Sequence, residues 1–425
     1  MKLSLGIDIG TSGVKTATVN FKGEVYSFSN IKHVPQNIDQ INPFFWWQKV
    51  MEAIKKNLLD LKNKGLDPFD IKMLAVDGTS GTILLTDEKL TPLNRALMYN
   101  SSGFYKEAKK IKKYSPIKHI TKGSNSVLAR ALKLIEEDKE HKAKYLMHQS
   151  DYIVANLIKK GGFSDLNNNL KLGYDIKKNE WPEWIIKTGL KKSFLPKVNP
   201  VGTYLGKIDE LIANILGLNH DAGIYSGTTD SNAGFLACAP FKIGSAVTSL
   251  GSTLAIKVLS ENQIEDTDIG LYSHKLGNFW LAGGASNTGG NVLRKFFTDK
   301  EIIKLCKDIN PYTSSGLNYY PLLTDGERFP VNDPDHQPCL SPRPKDDSLF
   351  LKGLLESMAK IEKKGYEAIF RKVGIFPDNI ITVGGGANNE VWKKIRKRII
   401  KTNISSGKNL EAAIGTAKIP FLFGK

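Results

Sequence analysis

Apolar and polar positions alternate along the start of the chain, and the alternation predicts its first elements. Through Gly6-Ile7-Asp8-Ile9 apolar residues recur at every second place up to the turn Gly10-Thr11-Ser12-Gly13, and they alternate again through Ala17 and Val19. This is the pattern of a β-hairpin. Gly23 marks a second turn, so residues 3–29 read as three antiparallel strands. The period then lengthens. Phe45, Trp46, Val50, Ile54 and Leu58 recur at helical spacing and predict a helix from about Asn42 to Lys62 with its aromatic cluster in the core. Met73 to Val76 reads as a short buried strand that ends at Asp77-Gly78-Thr79-Ser80-Gly81-Thr82, after which Ile83-Leu84-Leu85 is expected to resume the sheet. Residues 102–160 read as helical, with Ser150-Asp151 capping the last helix. Residues 164–169 read as a polar loop, with Asp165 a candidate on the substrate side, and a helix is expected to start near Trp181-Pro182-Glu183-Trp184.

A change of register comes at about residue 222. Ala222 to Gly227 reads as a strand, and Thr228-Thr229-Asp230-Ser231-Asn232 opens an apolar helix from Ala233 to Ala239. The run Ala246 to Val258 then repeats the opening device, with Gly251-Ser252-Thr253 at its tip. Two such hairpins, each beginning one half of the chain, point to a duplicated architecture divided into residues 1–221 and 222–425. Further on, Gly283 to Gly290 precedes a helix, Gly326-Glu327-Arg328-Phe329-Pro330 lies in a Pro-rich loop, and a long helix covers roughly 346–372. The strand Ile380 to Val383 runs into Gly384-Gly385-Gly386-Ala387-Asn388-Asn389-Glu390, a glycine turn before a capped helix. Glu411 to Ala417 is a small-residue helix face suited to close packing and to the border of a nucleotide.

Composition narrows the classes. The chain has 425 residues, 41% of them hydrophobic, which suits two or three domains with substantial cores. No run approaches the roughly 18 apolar residues of a membrane span, and Asp8 interrupts the N-terminal apolar stretch, so a cytoplasmic protein is expected. Cys238, Cys306 and Cys339 lie far apart without a Cys-x-x-Cys, which predicts reduced thiols and no zinc. The net charge of +17 invites a nucleic-acid reading. Its clusters, Lys109, Lys110, Lys112 and Lys113, and Lys393, Lys394, Arg396, Lys397 and Arg398, fall in amphipathic helical stretches and read as solvated faces. No nucleic-acid partner is therefore expected, and the charge acts on solubility and on attraction of anionic substrates.

The candidate chemistry sits at the turns. Glycines at a tip let backbone N–H groups converge on one point, and the Thr11 and Ser12 hydroxyls add donors, a concavity that suits phosphate. Asp8, two residues earlier, is placed to hold a metal ion or a substrate hydroxyl. Asp77, at a strand end among small residues, is expected to face a cleft. Taken alone, the first tip reads equally well as an ordinary glycine turn, and Asp230 reads first as a helix cap. Gly13-Val14-Lys15-Thr16 lacks the glycine that precedes the lysine of a Walker A loop, and no Gly-x-Gly-x-x-Gly follows a strand.

Together these motifs resemble the FGGY carbohydrate kinases of the actin, Hsp70 and sugar kinase superfamily. Asp8-Ile9-Gly10-Thr11 is similar to that family's first phosphate loop, Gly227-Thr228-Thr229-Asp230 to its catalytic-aspartate turn, and Ser249 to Thr253 to its second phosphate loop. Gly326-Glu327-Arg328 with Pro330, Asp333 and Pro334 resembles a further family loop, and Gly384-Gly385-Gly386 with Asn388 its adenosine motif. The resemblance implies an α/β fold of two ribonuclease-H-like lobes around an interlobe cleft, 1–221 binding sugar and 222–425 binding ATP. It implies ATP-dependent phosphorylation of a sugar or polyol hydroxyl with Asp230 as general base. Asp8 is then expected near Mg²⁺ and, with Thr11, Ser12, Gly13 and Asp77, against the substrate. Gly10, Thr11, Gly251, Ser252, Thr253, Gly284, Gly385, Gly386, Asn388 and Asn389 are expected at the nucleotide.

The chain also departs from the family pattern. Where many members carry a Trp-x-Asp-x-Arg substrate clamp, this one reads Tyr99-Asn100-Ser101-Ser102-Gly103, and it is shorter than most. Both features resemble the compact plant and cyanobacterial branch of xylulose and ribulose kinases, which implies a ketopentose, D-ribulose ahead of D-xylulose. A monomer or homodimer is expected. The rival reading is a nucleotide-switched ATPase of the actin or Hsp70 type without a sugar. Three carboxylates, Asp8, Asp77 and Asp230, and the lack of an appended peptide-binding domain weigh against it.

Overall fold

A computed structural model describes residues 1–33, 41–117 and 119–424. It divides into two compact units: Met1–Ala237 with Lys275–Gly277 and Glu411–Lys425, and Cys238–His274 with Asn278–Leu410.

The first unit is built on a six-stranded sheet. Its strands are β1 (Leu3–Gly10), β2 (Gly13–Val19), β3 (Val25–Lys32), β4 (Ile71–Gly78), β9 (Tyr204–Lys207) and β10 (Gly223–Tyr225), in the order β3-β2-β1-β4-β10-β9. β1 to β3 form the expected antiparallel meander, whereas β1, β4 and β10 run parallel. The helix Pro43–Asn63 starts at Asn42, whose side chain accepts the Phe44 N–H, and it buries Trp46, Val50, Ile54, Leu58 and Leu61. Each such side chain contributes about 1.5–3 kcal/mol when removed from water. The C-terminal helix Ala412–Phe423 lies on β1, β2 and β4. Its approach is close enough that a Cβ on Gly6 would stand 2.1 Å from the Ala413 carbonyl oxygen.

Smaller pairings complete the unit. β5 (Ile83–Thr86) pairs with β6 (Tyr145–His148), and β7 (Phe163–Asp165) pairs with β8 (Lys197–Asn199). Three expectations change here. Ile83-Leu84-Leu85 does not resume the large sheet, because the turn at Gly81, with φ +89°, sends the chain to β6. Residues 164–169 are not a loop: Asp165 ends β7 and caps the helix Leu166–Leu172 by accepting the N–H groups of Asn167 and Asn168. The division of the chain falls between Ala237 and Cys238 rather than after residue 221, since β10 pairs with β4 and the last fifteen or so residues return to the first unit.

The second unit repeats the topology. β11 (Ala246–Leu250), β12 (Leu254–Ser260), β13 (Tyr272–Leu276), β14 (Phe279–Ser286), β15 (Asn379–Val383) and β16 (Asn403–Ser406) are ordered β13-β14-β12-β11-β15-β16. As in the first sheet, a hairpin and a third antiparallel strand precede two parallel neighbours, here β15 and β16 beside β11. The helix Asp347–Val373 buries Phe350, Leu351, Leu354, Leu355 and Met358 in this unit's core. One residue of the supposed solvated basic face is in fact enclosed: Arg396, on the helix Glu390–Ile400, is 1% exposed. Among the described residues no helix is long and apolar enough to cross a membrane.

Candidate active site

In the first unit, the C-terminal ends of three parallel chain segments gather the candidate carboxylates. Asp8 stands opposite Asp77 in the β1–β4 register, and a parallel bridge between Gly78 and Thr229 continues the alignment to Asp230. Asp230 opens the helix Asp230–Cys238 and its Oδ1 accepts the Ser231 N–H at 2.7 Å. Crevices at such strand ends are where open α/β sheets bind ligands. Asp8 and Asp77 are buried, whereas Asp230 is half-buried.

Their environment sorts them chemically. Burial, with the charge of Asp230, pushes Asp8 up to about 7, opposed by the Asp77 carboxyl beside it and by the Lys15 ammonium. Burial and the neighbouring Asp8 charge push Asp77 well above the ordinary carboxylate range. Asp77 Oδ1 is buried without a hydrogen-bond partner. Thr416 donates to the other Asp77 oxygen, and Lys15 pairs with Glu411 at 2.5 Å beside the cluster. Asp77, expected at the sugar, is fully enclosed, beside Asp8 in the register and with its Oδ2 accepting from Thr416.

The tip between β1 and β2 exposes Thr11 and Ser12. Gly10 lies beside Asp8, whose Oδ1 is 3.9 Å from where a Cβ would sit, ordinary van der Waals contact. Gly13 is required by the sheet, since its missing side chain admits the Ile31 carbonyl, 2.3 Å from the Cβ position. Asp165 is buried as a cap and lies outside this carboxylate group.

The second unit holds a cavity of about 770 Å³. The structure brings six of the expected nucleotide residues to its wall: Gly251, Ser252, Gly385, Gly386, Asn388 and Asn389. Gly384 is needed to fold this wall, because it has φ +85° and a Cβ there would stand 2.7 Å from the Leu250 carbonyl oxygen. Thr253 lies beside the wall, its carbonyl accepting the Gly251 N–H at 3.1 Å. Gly284 does not belong to it. It is a strand residue of β14 whose side-chain space is filled by the Phe329 ring, 2.4 Å from the Cβ position.

The motifs gave no notice of the opposite wall. Leu293, Arg294, Ile302 and Cys306 come from two short helices, Gly290–Phe296 and Asp299–Leu305, and the turn after them, and Trp392 comes from the helix Glu390–Ile400. Their one legible signal was an apolar helix directly after a glycine run. Asn389 is held from two sides, accepting the Trp392 N–H at 2.9 Å and donating to Cys306 Sγ at 3.3 Å. Apolar walls with Arg294 and Lys307 among the lining suit a flat ring carrying an anionic tail. The Gly326–Pro330 loop is a clasp: buried Glu327 accepts Ser286 Oγ at 2.6 Å, the Asn287 N–H at 2.7 Å and Tyr320 OH at 3.0 Å.

Residues 3–237 match the family description "FGGY family of carbohydrate kinases, N-terminal domain". The chain belongs to the FGGY family of carbohydrate kinases. This FGGY kinase is 24% identical over 429 residues to a xylulose kinase from Staphylococcus xylosus, covering 96% of this chain and 87% of the relative. It is 24% identical over 316 residues to a ribulokinase from Staphylococcus aureus, covering 62% of this chain and 55% of that protein. A xylulose kinase from Rhodospirillum rubrum has a similar structure, with a TM-score of 0.84, 17% identity and coverage of 98% and 89%. The two repeated sheets are thus those of the ribonuclease-H-like fold of sugar kinases, and the FGGY kinase is an ATP-dependent carbohydrate kinase.

A magnesium ion with a nucleotide needs only one or two carboxylates from the protein, the rest of its shell being phosphate and water. Asp8 fits that requirement as a hard oxygen donor near the C-terminal end of β1. Among the described residues no group of three or more His, Cys, Asp or Glu forms an all-protein metal site.

Proposed function

We propose that this FGGY kinase transfers the γ-phosphoryl group of ATP to a hydroxyl of a ketopentose, with Asp230 as the general base. The observation that carries the reading is the sorting of the carboxylates: Asp77 enclosed, Asp8 buried against it, and Asp230 half-exposed at a helix start. Asp230 takes the acceptor hydroxyl's proton as the oxygen attacks phosphorus, and the bond to the ADP oxygen breaks. In a loose transition state that proton leaves late, so an aspartate suffices. Mg²⁺, when bound, would neutralise charge on the transferring phosphate, and Asp8 would hold it. Thr11 and Ser12 offer hydroxyl donors to the substrate side. In the second unit the apolar walls take the adenine, Gly385 and Gly386 the ribose, and Gly251 and Ser252 the phosphates.

For the acceptor, the departure at Tyr99 to Gly103 supports D-ribulose as the first choice. The xylulose kinase relative spans nearly all of the chain and the ribulokinase relative only 62% of it, which supports D-xylulose as the second. ADP release across pentuloses, hexuloses and polyols tests the reading, with kcat/KM ranking the two pentuloses. Asp230→Asn is expected to lose about 10²–10⁴ in turnover while still binding nucleotide. Failure of every sugar to stimulate ADP release would favour the nucleotide-switched alternative. Near-normal turnover in Asp230→Asn would place the base elsewhere.

A further inference from the structure

Beneath the cavity wall of the second unit lies a buried ionic network outside the motifs. Arg396 forks onto Glu362, Nε to Oε2 and Nη2 to Oε1, both at 2.7 Å, while its Nη1 donates to Thr382 Oγ1 at 2.8 Å. Thr248 Oγ1 donates to Glu362 Oε1 at 2.5 Å and lies 2.8 Å from Tyr366 OH. All five residues are at most 2% exposed.

The two threonines are direct register partners in the parallel pair β11–β15. Each stands just before a stretch at the cavity: Thr248 two residues before Leu250-Gly251-Ser252, and Thr382 three residues before Gly385-Gly386. The arginine comes from the helix Glu390–Ile400, whose first residues Glu390, Val391 and Trp392 also line the cavity. One ion pair thus joins three of the elements that build the wall. Stability alone does not call for it, because a buried ion pair is often replaced by apolar residues of similar volume without loss. What an apolar filling lacks is direction: a guanidinium fork and two hydroxyl bonds set the angle and register of what they hold.

We propose that the Glu362–Arg396 pair is a positioning device for the nucleotide cavity, holding β11, β15 and the helix Glu390–Ile400 in the arrangement that sets nucleotide affinity. The proposal rests on reading the cavity as the nucleotide site. The pair touches no substrate, so its loss acts on the fit of the wall and leaves the acceptor side alone.

The test uses the full chain. Glu362→Gln and Arg396→Met are expected to raise the KM for ATP about tenfold, with the sugar KM and kcat within about threefold of the parent. Arg396→Lys, which keeps the charge and loses the fork, is expected to fall between. The paired apolar replacement Glu362→Leu with Arg396→Met leaves no unpaired charge, and it carries the test if the single variants do not fold. It is expected to recover the parent's urea midpoint while the ADP Kd, measured by calorimetry, stays about tenfold weaker. Parent-like ADP binding in that double variant overturns the proposal. Ile302→Trp, which fills the cavity, separates the two ideas. If it weakens ADP binding and the double variant does not, only the positioning role fails; if ADP binding survives Ile302→Trp, the cavity reading fails and the proposal with it.

Discussion

Replacing His148 by glutamine should remove a pH dependence of stability built into the first unit. His148 ends β6, is 3% exposed, and its backbone N–H donates to Asp151 Oδ2 at 2.9 Å. Burial, then the positive charges of Arg130 and Lys171, push its imidazole down to about 3. In the unfolded chain it titrates near 6.5. The folded value is the depressed one, so stability is fully present above about 6.5 and is lost as pH falls toward 3, where the unfolded state takes up a proton that the folded state refuses. At pH 5 the unfolded side is about 1.5 units into its titration, which corresponds to a loss of about 2 kcal/mol. The figure holds for any folded value below about 4, because the folded imidazole is still neutral at pH 5.

Glutamine fills similar space and does not titrate. Asp151 and Asp165, both raised by burial, act with the opposite sign, but they are present in both proteins and drop out of the comparison. Urea unfolding of parent and His148→Gln at pH 7.5 and 5.0 gives the double difference. The parent should lose about 2 kcal/mol more than the variant. An equal loss in both, within about 0.5 kcal/mol, would show that the imidazole is not held neutral by its surroundings.

Two further substitutions probe packing and capping in the same unit. Gly6→Ala places a Cβ 2.1 Å from the Ala413 carbonyl oxygen and 2.3 Å from the Ala417 nitrogen, both main-chain atoms of the C-terminal helix. A cost of about 2–3 kcal/mol is expected in urea unfolding, and a change below about 0.5 kcal/mol would mean that the helix shifts freely. Asp165→Ala removes a cap and should cost about 1 kcal/mol, whereas Asp165→Asn should keep most of it. Both variants should retain the parent's sugar KM; a raised KM in Asp165→Asn at unchanged stability would return Asp165 to the substrate side.

The features that the sequence by itself determined are those written in local period and local turn chemistry. The meander of β1 to β3, the helix Pro43–Asn63 with its Asn42 cap, and the strand, glycine turn and capped helix from Asn379 onward follow from alternation, helical spacing and glycines within a few residues of one another. The repeat of the opening hairpin at β11 and β12 was legible for the same reason, and with it the duplicated topology. What only the tertiary structure decided are pairings between distant residues. β5 looks like a continuation of the large sheet, yet its partner lies in β6, and the last helix belongs with β1 although most of the chain separates them. Asp77 has the local look of a cleft residue, but its enclosure depends on Thr416 from that helix. Arg396 sits in a run of lysines and arginines that reads as solvated, and only the placement of Glu362, Thr248 and Thr382 around it makes it an interior cation. Periodicity reports which face of an element is apolar. Which polar side chain is taken out of water, and against what partner, is settled by long-range packing and so carries no local signature.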